Sequence, residues 1–248
     1  MKIAIMQPTF LPWLGYFYII KSVDKFVFLD SVQFERRSWQ SRNKIKLNDK
    51  EFFLSLCCQK SPQKTQINDI LLSKEPKWRE KILNTIHHTY SKSINFKNYF
   101  EFLKNELFVN ENLSDFNINL IKKFMSDLGI YTPIYRASKL NLSNAKREDL
   151  LLEICLSLNA DSYLSPEGSR NYLQSEHSKQ IFNDNKIKIE YLNFAHPIYK
   201  QQGKNFVPYL GIIDFLFNIK DPKSAFNEVF LQNGGGSDDF LKSHKEAI

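Results

Sequence analysis

The opening of the chain carries the pattern that most constrains the fold. Residues 2–6 are mostly apolar, which is typical of a strand buried on both faces of a parallel sheet. Pro8 and Pro12 then fix a loop, and a short helix is predicted over residues 17–23. Residues 25–30 read as a second strand. Strand, loop, helix and strand in this order predict a βαβ unit with a right-handed crossover.

The rest of the chain extends this unit into an α/β protein. Residues 51–58 form another apolar run, and residues 75–128 place apolar side chains at spacings of three and four, as helices do. Further strands are expected at 134–137, 162–164 and 187–192, and further helices at 147–158 and 210–218. The sequence therefore predicts a Rossmann-like α/β fold with a mainly parallel sheet and a helical insertion or subdomain over about 75–130.

The domain organisation follows from length and glycine placement. A chain of 248 residues is long enough for one generous α/β domain, assigned here to residues 1–232. Three glycines then occur together at 234–236 and a polar segment follows. Residues 233–248 are therefore expected to form a flexible C-terminal tail.

Several classes of protein are excluded by composition. No window approaches the roughly 18 consecutive apolar residues that a membrane span requires. The apolar start is too short for a signal peptide, because Pro8 and Pro12 interrupt it. Cys57, Cys58 and Cys155 give no disulfide framework. The protein is expected to be cytoplasmic, without a membrane span.

The net charge of +7 raises the question of a nucleic-acid partner. Most lysines are interleaved with acidic residues, as on a solvated helix face, so no nucleic-acid partner is predicted. The local exception is a run of five cations: Arg36, Arg37, Arg42, Lys44 and Lys46. A phosphate site and an exposed hairpin both fit this run, and charge alone does not separate them.

Polar side chains gather where the first two predicted strands end. Ligands of open parallel sheets lie beyond the carboxyl ends of the strands, and this stretch supplies amides, a carboxylate and a guanidinium that can orient a polar ligand. Gln7, Tyr16, Gln33, Arg42 and Asn43 are the candidate substrate-binding residues here, and Asp30 is a candidate catalytic carboxylate. The structural alternative is a capped loop with surface arginines.

A second group of candidates lies late in the chain. His196 is the first choice for a general base because imidazole titrates near neutrality, although a lone histidine is more often a structural hydrogen-bonding group. Asp214 lies among apolar residues and is costly to bury unless paired. It could hold a cation, orient His196, or face solvent. Tyr199 and Gln201 are further candidates for substrate binding.

Two other motifs carry weaker signals. Residues 167–170 form a strand-to-helix turn whose backbone N–H groups, with Arg170, could receive an anion, or which is simply a turn. His87 and His88 are neighbours in a helical pattern and point about 100° apart, so they cannot both face one ligand. No metal site is predicted.

Seven segments carry a family resemblance. They are Ile5–Pro8, Pro12–Phe17, Phe28–Phe34, Trp39–Ile45, Tyr163–Gly168, His196–Tyr199 and Phe206–Asn218. In this order they resemble the WbqC-like protein family. One departure is Gly211, where similar sequences tend to carry serine, and this weakens any role for a hydroxyl at that position.

The resemblance implies a role in bacterial surface-polysaccharide biosynthesis, especially of O-antigens. It suggests a transferase that moves an N-acyl group, including glycyl or aminoacyl, onto a nucleotide-linked amino sugar. The alternative is a non-catalytic nucleotide-sugar-binding or scaffold protein of a polysaccharide assembly complex. An acyl thioester and ATP both remain open as the source of activation, and the oligomeric state is not predicted. This reading requires the proline turn, the Arg42 segment and His196 to line one open pocket.

Overall fold

The described residues form seven strands, and the sequence pattern locates six of them in whole or in part. The computed structural model describes residues 1–143 and 145–235. The strands are β1 (Lys2–Met6), β2 (Lys25–Phe28), β3 (Arg42–Leu47), β4 (Lys50–Ser55), β5 (Ile134–Arg136), β6 (Ser162–Ser165) and β7 (Lys188–Tyr191). Five of them pair in parallel in the order β5-β2-β1-β6-β7. This doubly wound order confirms the predicted Rossmann-like α/β class.

Helices cover both faces of the sheet. They are α1 (Leu14–Lys21), α2 (Lys77–Tyr90), α3 (Phe96–Val109), α4 (Leu113–Asp127), α5 (Arg147–Ser157), α6 (Arg170–Leu173), α7 (Glu176–Asp184), α8 (Ile213–Asn218) and α9 (Pro222–Gln232). The predicted helical region corresponds to α2, α3 and α4, which are inserted between β4 and β5. Within the described residues, no helix is long and apolar enough to cross a membrane.

Alternation along the strands divides the core into two layers. Ile3 and Ile5 of β1 pack with α5 and α7 on one face of the sheet. Ala4, Phe26 and Phe28 point to the other face and pack with α1, the inserted helices, α8 and α9. Burying a phenylalanine of this kind stabilises the fold by about 1.5–3 kcal/mol.

The third apolar run does not join the main sheet. It forms β4, which pairs antiparallel with β3 in a separate hairpin. Asn48 and Asp49 connect the strands with φ angles of 50° and 61°. Positive φ at both central residues is required by the type I′ turn, whose twist matches that of the paired strands. Ile45 and Leu54 bury the inner face of the hairpin against the core.

Residues 233–235, the last that the structure describes, are hydrogen bonded to neighbouring segments. The Asn233 side chain accepts a hydrogen bond from the Ala195 amide at 2.6 Å, and its carbonyl accepts one from the Tyr18 hydroxyl at 2.7 Å. Gly235 N–H donates to the Phe230 carbonyl at 2.9 Å and closes α9. The remainder of the predicted tail, residues 236–248, lies outside the described residues.

Candidate functional site

Asn43 fixes the proline-containing loop that follows β1. Its side-chain amide donates to the carbonyls of Phe10 and Leu11 at 2.9 and 2.8 Å, and its oxygen accepts from the Lys44 amide at 2.7 Å. Leu11 has a φ of 44°, a conformation that costs a non-glycine residue free energy and needs support. The buried Asn43 amide therefore holds the loop in place with all its polar atoms engaged.

Gln7 and Tyr16 form part of the same internal network. The Gln7 side-chain oxygen accepts from the Gln40 amide at 2.9 Å, and the Tyr16 hydroxyl donates to the Gln7 carbonyl at 2.9 Å. Burial raises the pKa of the Tyr16 phenol well above its ordinary value. Both residues lie at the carboxyl end of β1, as expected, and tie the loop to α1.

Asp30 joins the carboxyl ends of β2 and β5. Its buried carboxylate pairs with the Arg136 guanidinium at 2.7 Å and accepts from the Ser138 amide and hydroxyl at 2.9 and 2.8 Å. Arg136 also pairs with Asp115 at 2.6 Å. Burial acts to lower the pKa of Arg136, but the hydrogen bonds that it donates to the carboxylates of Asp30 and Asp115 hold that pKa above its ordinary value. The structure thus places Asp30 in an ion-pair network.

His196 is bonded through both ring nitrogens. The Tyr209 backbone N–H donates to Nε2 at 3.2 Å, so Nε2 carries a lone pair and Nδ1–H donates to the Pro197 carbonyl at 2.9 Å. Burial lowers the pKa of the imidazole, which favours the neutral form. The ring lies parallel to the Trp13 indole, with centroids 6.4 Å apart. Nε2 can accept a proton as a general base only when the Tyr209 N–H no longer donates to it.

Asp214 is buried between two tyrosines. Its carboxylate oxygens accept from the hydroxyls of Tyr90 and Tyr199 at 2.9 and 3.0 Å. Burial raises the pKa of Asp214 to about 6, even though the hydrogen bonds from the tyrosines and the charge of Lys46 act in the opposite direction. The expected pairing with His196 is not made, since the two side chains bond to different partners.

The three other candidates occupy separate places. Gln201 bonds through its side-chain amide and oxygen to the Val207 carbonyl and amide, both at 2.8 Å, and so closes a loop. Arg170 pairs with Glu167 at 2.5 and 2.8 Å and lies 4.0 Å from the Tyr191 ring centre. Gln33 is exposed in the segment after β2.

The distant segments predicted to line one open pocket do meet, but through packing, so the described residues do not form the shared open pocket that the catalytic hypothesis required. Gly211 N–H donates to the Lys44 carbonyl at 2.8 Å, and Ile212 N–H donates to the Pro12 carbonyl at 2.9 Å. A Cβ on Gly211 would lie 2.8 Å from the Leu11 carbonyl oxygen, so this close approach requires glycine or a shifted backbone. The rings of Trp13, His196 and Tyr209 fill the junction.

The Arg42 segment instead borders its own cavity, of about 380 Å³, which His196 does not line. The cavity lies between the segment after β2 and the strand β4, and none of its lining residues is acidic. The cations that line it are Arg36, Arg37, Arg42 and Lys60. A neighbouring cavity of about 430 Å³ shares Arg36 and Phe34 with it and extends toward Gln33. A concentration of guanidinium groups without carboxylates is suited to a phosphate-bearing ligand.

The five-cation run divides into two groups in the structure. Arg36, Arg37 and Arg42 line the cavity, and Arg37 has a φ of 61°, a conformation often retained at functional sites. Lys44 pairs with Glu51 at 2.6 Å. Lys46 is buried, donating to the carbonyls of Gln202 and Asn205 and pairing with Asp49 at 3.0 Å. Among the described residues, the three arginines of the first group have no carboxylate partner, so they are the cations available to an anionic ligand.

Sequence reasoning missed the far wall of this cavity. Lys60, Cys57 and Cys58 line it, brought there because Arg42 pairs with Ser55 across the hairpin. The thiol of Cys58 is not a ready nucleophile, since burial and the neighbouring Cys57 raise its pKa to about 12. The chain offered no local signal for these residues, and only a correct prediction of the hairpin register would have found them.

The fold and this cavity define an α/β protein with a doubly wound parallel sheet and a cation-lined pocket beside a β-hairpin. The chain belongs to the WbqC-like protein family, whose model matches residues 7–225. It is similar to the uncharacterized protein Rv1507c of Mycobacterium tuberculosis (strain ATCC 25618 / H37Rv), with 28% identity over 223 residues, covering 88% of this chain and 94% of the relative. No solved structure matches.

Proposed function

We propose that the protein is a transferase that acylates the amino group of a nucleotide-linked sugar in surface-polysaccharide biosynthesis. The single observation that carries the binding half of this proposal is the cavity lined by three arginines and a lysine, with no acidic lining residue. A sugar nucleotide presents a diphosphate, and guanidinium groups bind phosphate oxygens through paired, charge-assisted hydrogen bonds. Family membership supports the choice of substrate class.

The chemistry assigned to the site is amide formation. The sugar nitrogen attacks the acyl carbonyl, a carbon–nitrogen bond forms, and the bond from that carbonyl to its thiol or phosphate leaving group breaks. The nitrogen loses a proton, and the Nε2 lone pair of His196 is the acceptor that we assign. His196 does not line the arginine cavity, and the Tyr209 amide occupies its Nε2 lone pair at 3.2 Å, so the assignment requires the loop around Tyr209 to move and to open a path between His196 and the bound ligand. Tyr209 has a φ of 56°, a strained conformation that supports such movement.

The location that we propose is the cytoplasm. Cys57, Cys58 and Cys155 are free thiols, and free thiols are typical of a reducing compartment.

A specific observation favours the second candidate, a binding protein without catalysis. All three candidate catalytic side chains bond internally: Asp30 to Arg136 and Ser138, His196 to Pro197 and Tyr209, Asp214 to Tyr90 and Tyr199. A protein that only holds a sugar nucleotide would use the arginine cavity in the same way and would need no free base.

Binding and turnover are tested separately. Calorimetric titration with a UDP-linked amino sugar measures the dissociation constant for the unchanged protein and for Arg37→Gln and Lys60→Gln. Both residues are exposed, so the substitutions should leave the fold intact. Each lost charge-assisted contact should weaken binding about tenfold or more. Arg170→Gln is the matched control, because Arg170 does not line the cavity. Equal affinities for all four proteins would refute the site.

Turnover is followed by product mass. The protein is incubated with the sugar nucleotide and either an acyl thioester or glycine with ATP. An amide product that His196→Gln reduces strongly, without loss of sugar-nucleotide affinity, supports the transferase. Tight binding with no product from either donor supports the binding protein instead. Product formed equally well by His196→Gln would remove the assigned base.

A further inference from the structure

The outer face of the hairpin carries an aromatic pair beside the cation-lined cavity. Trp39 and Phe53 are exposed by 51% and 40%, and their ring centres lie 6.1 Å apart with planes inclined by 33°. The Arg42 guanidinium lies 4.7 Å from the Phe53 ring centre. Large exposed aromatic rings side by side are uncommon on a surface unless they meet a partner.

Strand pairing makes this aromatic pair continuous with the cavity. Arg42 lies opposite Ser55, and Lys44 lies opposite Phe53. Because side chains alternate along a strand, these four share the outer face of the hairpin. Arg42 and Ser55 also line the cavity. A single phenyl ring, that of Phe53, therefore connects the Trp39 indole to the guanidinium that borders the proposed phosphate site.

We propose that Trp39, supported by Phe53, stacks on the nucleobase of a nucleotide whose diphosphate occupies the cavity lined by Arg36, Arg37, Arg42 and Lys60. The proposal rests on the phosphate-binding role assigned above and adds the part of the ligand that the arginines cannot recognise. Indole rings stack on the flat π-face of any base, and an adjacent guanidinium strengthens the contact.

Shape and charge favour a nucleobase over a sugar ring or a nucleic-acid strand as the ligand of the aromatic pair Trp39 and Phe53. A sugar hydroxyl both donates and accepts, so a sugar ring is bound best where acceptors as well as donors lie at its edge. The groups that lie over Phe53 are the donors Arg42 and Lys44, and Lys44 is already paired with Glu51. A nucleic-acid strand needs cations that track its backbone over several nucleotides. The cations Arg36, Arg37, Arg42 and Lys60 instead line one cavity of about 380 Å³, and no acidic residue is among its lining residues.

Three small ligands separate base, phosphate and sugar recognition. UDP, inorganic pyrophosphate and a hexose 1-phosphate are titrated into the unchanged protein and into Trp39→Ala, with intrinsic fluorescence and calorimetry as readouts. Trp39 is more exposed than Trp13 and Trp78, so UDP stacking should quench the emission. Trp39→Ala should weaken UDP binding by about 5- to 100-fold and leave pyrophosphate binding unchanged. Trp39→Phe should recover part of the loss.

The control is Tyr131→Ala, an exposed aromatic (80%) in the loop before β5, which should change none of the affinities. UDP binding that is insensitive to Trp39→Ala overturns the stacking proposal and leaves the phosphate site standing. A loss confined to the hexose 1-phosphate overturns it as well, in favour of a sugar platform. Failure of pyrophosphate and UDP to bind at all overturns the phosphate site, and the stacking proposal falls with it.

Discussion

Replacing Asp214 with asparagine should remove a pH-dependent destabilisation of the folded protein. The carboxylate is buried, and burial raises its pKa from 3.8 to about 6. A raised pKa means that the folded state binds the proton more tightly than the unfolded state does. The contribution of Asp214 to stability is therefore fully present below pH 3.8 and is lost as the pH rises through about 6.

The magnitude follows from the size of this change. Moving the pKa from 3.8 to about 6 corresponds to about 3 kcal/mol. An asparagine amide can still accept from one tyrosine hydroxyl and donate to the oxygen of the other, so Tyr90 and Tyr199 keep partners. The neutral side chain does not carry the cost of a buried charge. The unfolding free energy of Asp214→Asn minus that of the unchanged protein should therefore be larger above about pH 6 than it is near pH 4.

Urea denaturation followed by circular dichroism, repeated across this pH range, measures the effect. The quantity of interest is the difference in unfolding free energy between the two proteins, because other titrating groups cancel in it. Asp221→Asn is the control: hydrogen bonds from Ser224 lower the pKa of this exposed carboxylate from 3.8, so its pH dependence has the opposite sign and falls mostly below pH 4, and the difference for this variant should change little across the range. A difference for Asp214→Asn that stays flat, or that turns against the variant as the pH rises, would refute the reasoning.

Two further predictions concern the loop and the cavity. Asn43→Ala leaves the buried carbonyls of Phe10 and Leu11 without their donor, and urea denaturation should show a loss of about 2–4 kcal/mol; a loss below about 1 kcal/mol would mean that water replaces the amide. Alkylation with iodoacetamide near pH 8 should modify the exposed Cys57 first, because burial raises the pKa values of Cys58 and Cys155 to about 12. Peptide mass spectrometry reads out the site, and faster modification of Cys58 would contradict its burial.

The fold was predictable where a local sequence pattern, such as an apolar run or an alternation of apolar and polar residues, determines the element. An apolar run ending before a proline-containing loop predicted β1, and alternation predicted β7. For β3 the cation run left an exposed hairpin open as one alternative, but its alternating lysines and asparagine indicated neither the bounds of the strand nor its partner. Its strand character comes from pairing with β4, a long-range effect that local propensity does not contain. The helix α9 was also missed, although Asp221 before Pro222 is a recognisable helix start.

The candidate site was predictable in its residues more than in its arrangement. The proline turn does lie close to the segments of Asn43 and His196, but the single open pocket predicted there is not formed, because rings fill the space between them. Whether a polar side chain is free or bonded depends on partners far along the chain. Asp30 is held by Arg136, and Asp214 by Tyr90, and neither pairing leaves a mark in the local sequence.

The strand β3 explains why the same short run of residues supports both structure and binding. Its inner face carries Asn43 and Ile45, which fix the proline loop and the core. Its outer face carries Arg42 at the cavity and Lys46 in the buried pairing with Asp49. A shift of one residue in its register would turn the arginine inward and the asparagine outward. The tight turn at Asn48 and Asp49 therefore sets the position of the cavity as well as the fold of the hairpin, since it fixes that register.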